Sequence, residues 1–392
     1  MFKIKITFWR VVLAILLVAG AYATVLRFVR GLGAVTHLSD AFPWGLWIGF
    51  DVLCGVMLAA GGFTLTSAVY LFNLKRFKPI VRPTVLTAFL GYLLVVVALL
   101  FDLGRGYRIW HPLVMWNPRS VMFEVAWCVT LYTTVLSLEF AGVLFEHFRL
   151  FKLLRIQKMF LIPLVISGVL LSTLHQSSLG SLYLIVPNKL HPFWYTPLLP
   201  VLFFLSSVCV GLAMTIFESS MSAKHFGKQL EFPLIQSLGR TLLVVLSIYT
   251  VVRFQDLLHR GALGLLSKGG WEAGLFLLET LLASALPIFL LLIPKVRESP
   301  KGLYLAAVLC LLGFVTNRMN VAITGMEAYA GQHYFPKWTE ITVTLAIIGF
   351  GFLVFALAVK YLPIFHQEVA YQPIAEPEAS QAEMPQLTNA EY

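Results

Sequence analysis

Two carboxylates set into one long apolar run are the first candidates for chemistry in this sequence. The stretch Arg119 to Glu139, RSVMFEVAWCVTLYTTVLSLE, is long enough to cross a membrane and carries Glu124 and Glu139. An ionisable group at bilayer depth is costly, so each needs a reason to be there. On a helix the pair would lie roughly 22 Å apart along the axis but only about 60° apart around it. They would face nearly the same interior, one toward each side of a membrane. Asp51 stands two turns into another apolar run, which opens with Phe42-Pro43-Trp44-Gly45-Leu46-Trp47, and His175 heads a polar run that continues to Ser181. A histidine and a carboxylate near the carbonyls of a redox ring are suitable hydrogen-bond and proton partners.

A sparser polar set lies deeper. Counting 1.5 Å per residue from the outer end of each apolar run, Glu279 falls at roughly 12 Å, Tyr92 at roughly 15–18 Å, Glu139 at roughly 27 Å and Glu218 at roughly 30 Å. Such a ladder suits a proton relay if waters fill gaps of roughly 10 Å. Glu139 and Glu218 fit equally well at the cytoplasmic interface, where a carboxylate costs little. Trp44 and Trp47 read as an interfacial aromatic belt. Arg105, Arg253 and Arg318 read as snorkelling to the interface or as pairing with Asp102 and Asp256.

The elements that must position these residues follow from composition. The chain has 392 residues, of which 59% are hydrophobic and 12% charged. That is about half the charge of an ordinary soluble domain. The expected class is all-α: a polytopic membrane bundle of about ten transmembrane helices, near 8–27, 45–73, 84–101, 121–146, 159–175, 198–222, 236–258, 271–293, 302–323 and 341–361. The first of these could be a signal peptide, but its apolar run from Val11 to Leu26 is long for one, and we expect it to be retained. The net charge of +10 does not indicate nucleic acid, because the basic residues fall in short clusters between apolar runs. They read as topology signals. With the N-terminus inside, eighteen of the 29 Lys and Arg residues lie on the inner side and eleven on the outer. Both termini are then cytoplasmic, with Asp51, Glu124 and His175 toward the outer side. Residues 1–365 form the membrane domain, and 366–392, with five glutamates and no Lys or Arg, read as a disordered acidic tail.

Cys54, Cys128, Cys209 and Cys310 each sit in a different apolar segment, which argues against iron–sulfur, zinc or disulfide roles. A b-type haem needs two facing axial ligands, usually histidines, and of the nine histidines only His175 approaches bilayer depth. No metal site and no haem or iron–sulfur cluster is expected in this chain. The economical redox role is then a quinone reduced or oxidised at the outer pocket.

Several of these motifs recur together elsewhere. The run Phe42 to Asp51, the pair Gly61-Gly62, Ser120 to Glu124, His175 to Ser181 and Tyr334-Phe335-Pro336-Lys337-Trp338 resemble the NrfD-like (polysulfide reductase membrane subunit) family. Within it the likeness is to the HybB-type membrane subunit of periplasmic nickel–iron hydrogenases, over residues 25 to 365. The resemblance implies a haem-free membrane subunit that binds menaquinone or ubiquinone near the periplasmic face of the bacterial inner membrane. Its partners would be a ferredoxin-like iron–sulfur subunit and the large and small hydrogenase subunits, in some settings with coupling to proton movement. By matched motif it assigns proton handling to Glu124, His175, Tyr92 and Glu218, and quinone contact to Asp51, Glu124, His175, Ser177 and, on a more variable loop, Arg105. Relatives of the same fold serve molybdopterin and multihaem cytochrome enzymes. From a different class, embedded carboxylates also suit a secondary transporter or proton channel, although no inverted repeat is evident, and a passive anchor is a third reading.

Overall fold

In lipid a backbone polar group has no partner but the chain itself, so long apolar runs must close their own hydrogen bonds as helices. A computed structural model describes residues 7–186, 189–227 and 231–365 of the chain. The expected acidic tail, and Lys3, Lys5 and Lys228 of the charge count, lie outside the described residues. Among the described residues ten helices are long and apolar enough to cross a membrane: α1 Phe8–Arg30, α2 Trp47–Leu71, α3 Lys75–Asp102, α4 Val121–His147, α5 Leu161–Leu184, α6 Leu199–Phe226, α7 Phe232–His259, α8 Trp271–Leu292, α9 Pro300–Ala330 and α10 Trp338–Tyr361. The chain is a multi-pass integral membrane protein.

Three boundaries differ from expectation for physical reasons. α3 begins well before residue 84 because Pro79 occupies its first turn, where no N–H is needed, and Pro83 is absorbed one turn later. α9 runs on through a wide turn at Asn320–Thr324. α5 does not end at His175 but continues to Leu184. Its polar run from His175 to Ser181 therefore lies inside a helix, where packing supplies partners that the sequence leaves unstated. Gly180 makes this possible, since a Cβ there would lie 2.7 Å from the backbone of Pro200 at the start of α6.

α2 and α6 are the inner helices, with 72% and 67% of their apolar windows buried, whereas α1 and α10 keep 17% and 11% and lie at the periphery. α4 packs along α5, α6 against α5, α7 and α9, and α1 along α10. Four π-helical segments interrupt the regular ladder, at Trp47–Cys54, Ser67–Leu71, Leu281–Ala285 and Asn320–Thr324. Such widened turns often mark functional positions. The Lys- and Arg-rich connections gather at one end of the bundle. There the short helix Phe151–Met159 exposes Phe151, Ile156 and Met159 beside Lys152, Arg155 and Lys158, the pattern of a helix lying in a membrane interface.

At the opposite end the loops are tied together. The buried Glu340 carboxylate accepts from the backbone N–H of Lys337 at 2.8 Å and of His37 at 3.1 Å, and from the Tyr334 hydroxyl at 2.5 Å. Tyr334 also accepts from the Leu46 N–H and stacks on Phe42 at 4.8 Å. Two of the motifs read from the sequence thus meet as one structural closure.

Candidate functional site

The inner face of α5 repeats every three or four residues, placing Ser172, His175, Gln176, Leu179 and Tyr183 in one buried stripe. Opposite it α3 presents Tyr92 and α4 presents Tyr132, both fully buried. The Tyr92 hydroxyl and His175 Nδ1 are 2.9 Å apart. If Nδ1 carries no proton, tyrosine donates and Nε2 bears the N–H; the alternative tautomer reverses both roles. Among the described residues Nε2 makes no hydrogen bond, and the Tyr132 hydroxyl and Ser172 Oγ make none of ordinary length, although those two lie near each other. The Tyr132 ring meets Tyr92 edge-on with centroids 4.6 Å apart. Buried polar atoms are nearly always bonded to protein or water, so this group marks a place for water or a polar ligand.

One turn toward the end opposite the basic clusters, the Ser178 hydroxyl contacts both a Glu124 carboxylate oxygen and the Leu174 carbonyl. One hydroxyl hydrogen serves one acceptor at a time, so when Ser178 donates to the carbonyl its bond with Glu124 requires a protonated carboxyl. Glu124 lies in the first turn of α4, whose start is capped by Ser120, and it is exposed.

The structure joins Tyr92 to His175 on α5, and Glu124 to Ser178 three residues further along the same helix. Ser177 is half-buried, and its recorded hydrogen bond is a carbonyl contact from Ser181. Arg105 is exposed in the turn after α3 and makes no side-chain hydrogen bond among the described residues. Asp51 and Glu218 belong elsewhere. The π-helical segment of α2 turns Asp51 inward to accept from Thr344 at 2.8 Å. Both acids line a cavity of about 650 Å³ among α2, α3, α6 and α10. Among the described residues neither Glu218 oxygen makes a hydrogen bond of ordinary length, and Thr87 lies beside it in the same wall.

A third polar group was not anticipated as a unit. Fully buried Glu279 on α8 forms an ion pair with Arg253 of α7 and accepts from Trp194 Nε1 at 3.0 Å, Asn317 Nδ2 at 3.2 Å and Asn320 Nδ2 at 2.6 Å. Arg253 also donates to the Tyr249 hydroxyl. Arg318, 1% exposed, donates to Ser206 and the Phe203 carbonyl and lies 3.5 Å over the Phe203 ring. Neither arginine snorkels or pairs with Asp256, which instead binds Arg260 at 2.7 Å. The two asparagines come from α9, Asn317 from its regular part and Asn320 from the first residue of its π-helical segment.

Histidine geometry tests whether a haem fits. Among the described residues His175 is the one buried histidine, and its ring neighbour is Tyr92, not a second imidazole. The donor set does not fit a bis-histidine haem. The described residues hold no group of three or more His, Cys, Asp and Glu side chains placed to bind a metal.

These features define a class: a polytopic helical membrane protein with a titratable, partly unsatisfied polar cluster near one end of the bundle. The chain belongs to the NrfD family, matching "Polysulphide reductase, NrfD" over residues 34–330. It is 35% identical over 347 residues to the "Probable Ni/Fe-hydrogenase 2 b-type cytochrome subunit" of Escherichia coli K12, covering 87% of this chain and 88% of that one. It is 30% identical over 391 residues to the "Menaquinone reductase, integral membrane subunit" of Nitratidesulfovibrio vulgaris Hildenborough, with 93% of each chain covered. A further protein of that organism, whose name states no activity, is 41% identical over 378 residues, covering 92% of this chain and 95% of that one.

Proposed function

We propose that this chain is the quinone-reactive membrane subunit of a respiratory oxidoreductase, passing electrons between an iron–sulfur partner subunit and quinone in the membrane. The observation that carries the reading is the Tyr92–His175 hydrogen bond with its open Nε2, one turn from the Ser178–Glu124 contact. Reduction of a quinone to quinol takes two electrons and two protons. His175 and Glu124 supply hydrogen bonds and protons to the ring oxygens, while Tyr92 holds the imidazole in orientation and tautomer. Menaquinone or ubiquinone is the substrate, and the name of the N. vulgaris relative favours the former. Glu218 and Asp51 handle protons in their own cavity.

The E. coli relative supports a nickel–iron hydrogenase, with its large and small subunits and a ferredoxin-like iron–sulfur subunit, as the catalytic partner. The menaquinone reductase relative favours a second reading, the same role beside another redox enzyme. In either case the basic end faces the cytoplasm and the quinone site the periplasm, in the inner membrane, by the excess of Lys and Arg. Glu124→Gln and His175→Ala should each lower hydrogen-to-quinone turnover of the assembled complex by about 100-fold, leaving hydrogen oxidation with an artificial dye intact. Wild-type quinone turnover in both variants, in a complex of unchanged subunit content, would sink the reading. Identifying the proteins that copurify separates the two partners.

A further inference from the structure

A cavity of about 400 Å³ opens at the basic end among α2, α3, α4, α5 and the short helix Phe151–Met159. It has room for about a dozen waters. Lys78, Arg82, Glu146 and Lys158 line it together with Tyr70 and Glu139. Arg82 and Glu146 are paired at 2.6 Å. Glu139 lies two turns in from the end of α4, roughly 12 Å from it, and is half-buried.

What lies beyond Glu139 gives this cavity a direction. Tyr132 precedes it by seven residues, on the same face of α4 and roughly 10 Å further in. Between the two the wall of α5 is Gly168. A Cβ built there would lie 3.4 Å from a Glu139 carboxylate oxygen and 3.6 Å from the Tyr132 ring. Val135 Cγ1 stands at 3.4 Å from the same point, so the gap between the two polar groups is flanked by one methyl group of α4. Among the described residues the Tyr132 hydroxyl and Ser172 Oγ, on α5 one turn before His175, make no hydrogen bond of ordinary length, but they lie near enough to each other to interact. Gly62 of α2 leaves room beside the Tyr132 hydroxyl, which would stand 3.8 Å from a Cβ there. The row of unmet polar groups therefore runs from the cavity through Tyr132 and Ser172 to Tyr92 and His175. Glu218 is not in this row: its cavity is walled by Thr87, Leu90, Gly91 and Leu94 of α3, whereas Tyr92 points to α4 and α5.

We propose that this cavity is the proton-uptake vestibule of the chain, in which Glu139 takes protons from water at the basic end and Tyr132 with Ser172 passes them to the Tyr92–His175 pair. The inference rests on the quinone reading. For each quinone reduced, two electrons come from the iron–sulfur partner, and the two protons that His175 and Glu124 hand to the ring oxygens are replaced through this route. Glu139 gives up its proton inward and is reprotonated from the vestibule, so the protein undergoes no net change. Quinone reduction near one end then draws its protons from the other.

The test uses the whole complex, purified through this chain and reconstituted in phosphatidylcholine vesicles. Its orientation is fixed by labelling Arg155→Cys in the short helix. pH dyes on both sides follow turnover driven by the donor that the copurified partner oxidises, with a short-chain menaquinone analogue as acceptor. Wild type should take up protons from the basic-end compartment. Glu139→Gln and Tyr132→Phe should each slow that uptake and quinone reduction by roughly tenfold or more, Glu139→Asp should keep most of it, and dye-linked donor oxidation should not change. Gly168→Ala, which narrows the gap without altering any titratable group, should also slow uptake. Unaltered uptake from the basic end in Glu139→Gln, or its loss in Glu218→Gln alone, overturns the vestibule. If Glu124→Gln and His175→Ala leave quinone turnover at wild-type rate, the quinone reading fails and the vestibule with it. If those two variants are slow while Glu139→Gln and Tyr132→Phe are not, the vestibule alone fails.

Discussion

At the scale of single residues, the contrast between satisfied and unsatisfied buried groups separates structure from chemistry. Glu279 is enclosed by four donors and Glu340 by three. Each is held in one geometry. Glu218, Tyr132, Ser172 and His175 Nε2 have open valences, which is costly unless water or a substrate fills them. Breaking a buried ion pair by removing one partner leaves an uncompensated charge, at about 3–5 kcal/mol. Arg253→Met should therefore lower thermal stability of the purified protein markedly, and Arg253→Met with Glu279→Leu should recover part of the loss. If the double variant melts no higher than the single one, the charge pairing is not what stabilises this cluster.

At the scale of helices, the decisive device is close approach. α8 and α9 meet at Gly313, where a Cβ would lie 2.0 Å from the backbone nitrogen of Ala283 in the π-helical segment of α8. The two backbones touch there, as small residues permit in membranes. Gly313→Ala should force the helices apart and cost about 1–3 kcal/mol, while Gly274→Ala on the same α8, with nothing within 4 Å of its Cβ, should be neutral or slightly stabilising. Comparing the two by thermal unfolding in detergent checks the crossing; equal effects would refute it. α5 shows the same rule in the service of the site. A run that reads as a loop is helical because Gly180 lets α6 approach, and because Tyr92, Glu124 and the Val56 carbonyl meet His175, Ser178 and Gln176.

At the scale of the molecule, the loop closure opposite the basic end ties the start of α2 to the start of α10. Burial and the Glu340 carboxylate hold the Tyr334 hydroxyl well above its ordinary pKa, so it stays a donor across the working pH range. Tyr334→Phe removes that bond and leaves Glu340 one donor short, at about 1–3 kcal/mol. The expected result is faster backbone hydrogen exchange around residues 37–46 and 334–340 and a lower melting temperature. Exchange unchanged in both stretches would show that the closure does not depend on this hydroxyl. The same closure lies at the end of the bundle that holds Glu124, so its loosening should also weaken quinone turnover without affecting dye-linked oxidation by the partner.

The sequence by itself determined the number of membrane helices, the all-α class and the family, and it singled out Tyr92, Glu124 and His175 as candidates, because apolar length, turn residues and motif spacing are local properties of a chain. It also found Asp51 and Glu218 as buried acids. Which acids share a space was decided only in three dimensions. Counted along its helix, Glu218 looks equivalent to Glu139, yet the two line different cavities, because helix packing and not depth sets neighbours. Likewise Ser178 rather than Ser177 reaches Glu124, since one residue is a turn of 100° about the axis, and Arg253 finds Glu279 rather than Asp256 across a helix crossing no local pattern records. Glu124 and Glu139, fifteen residues apart on one helix, meet α5 at Ser178 and at Gly168, because the two helices pack side by side along their length and a local pattern records neither contact.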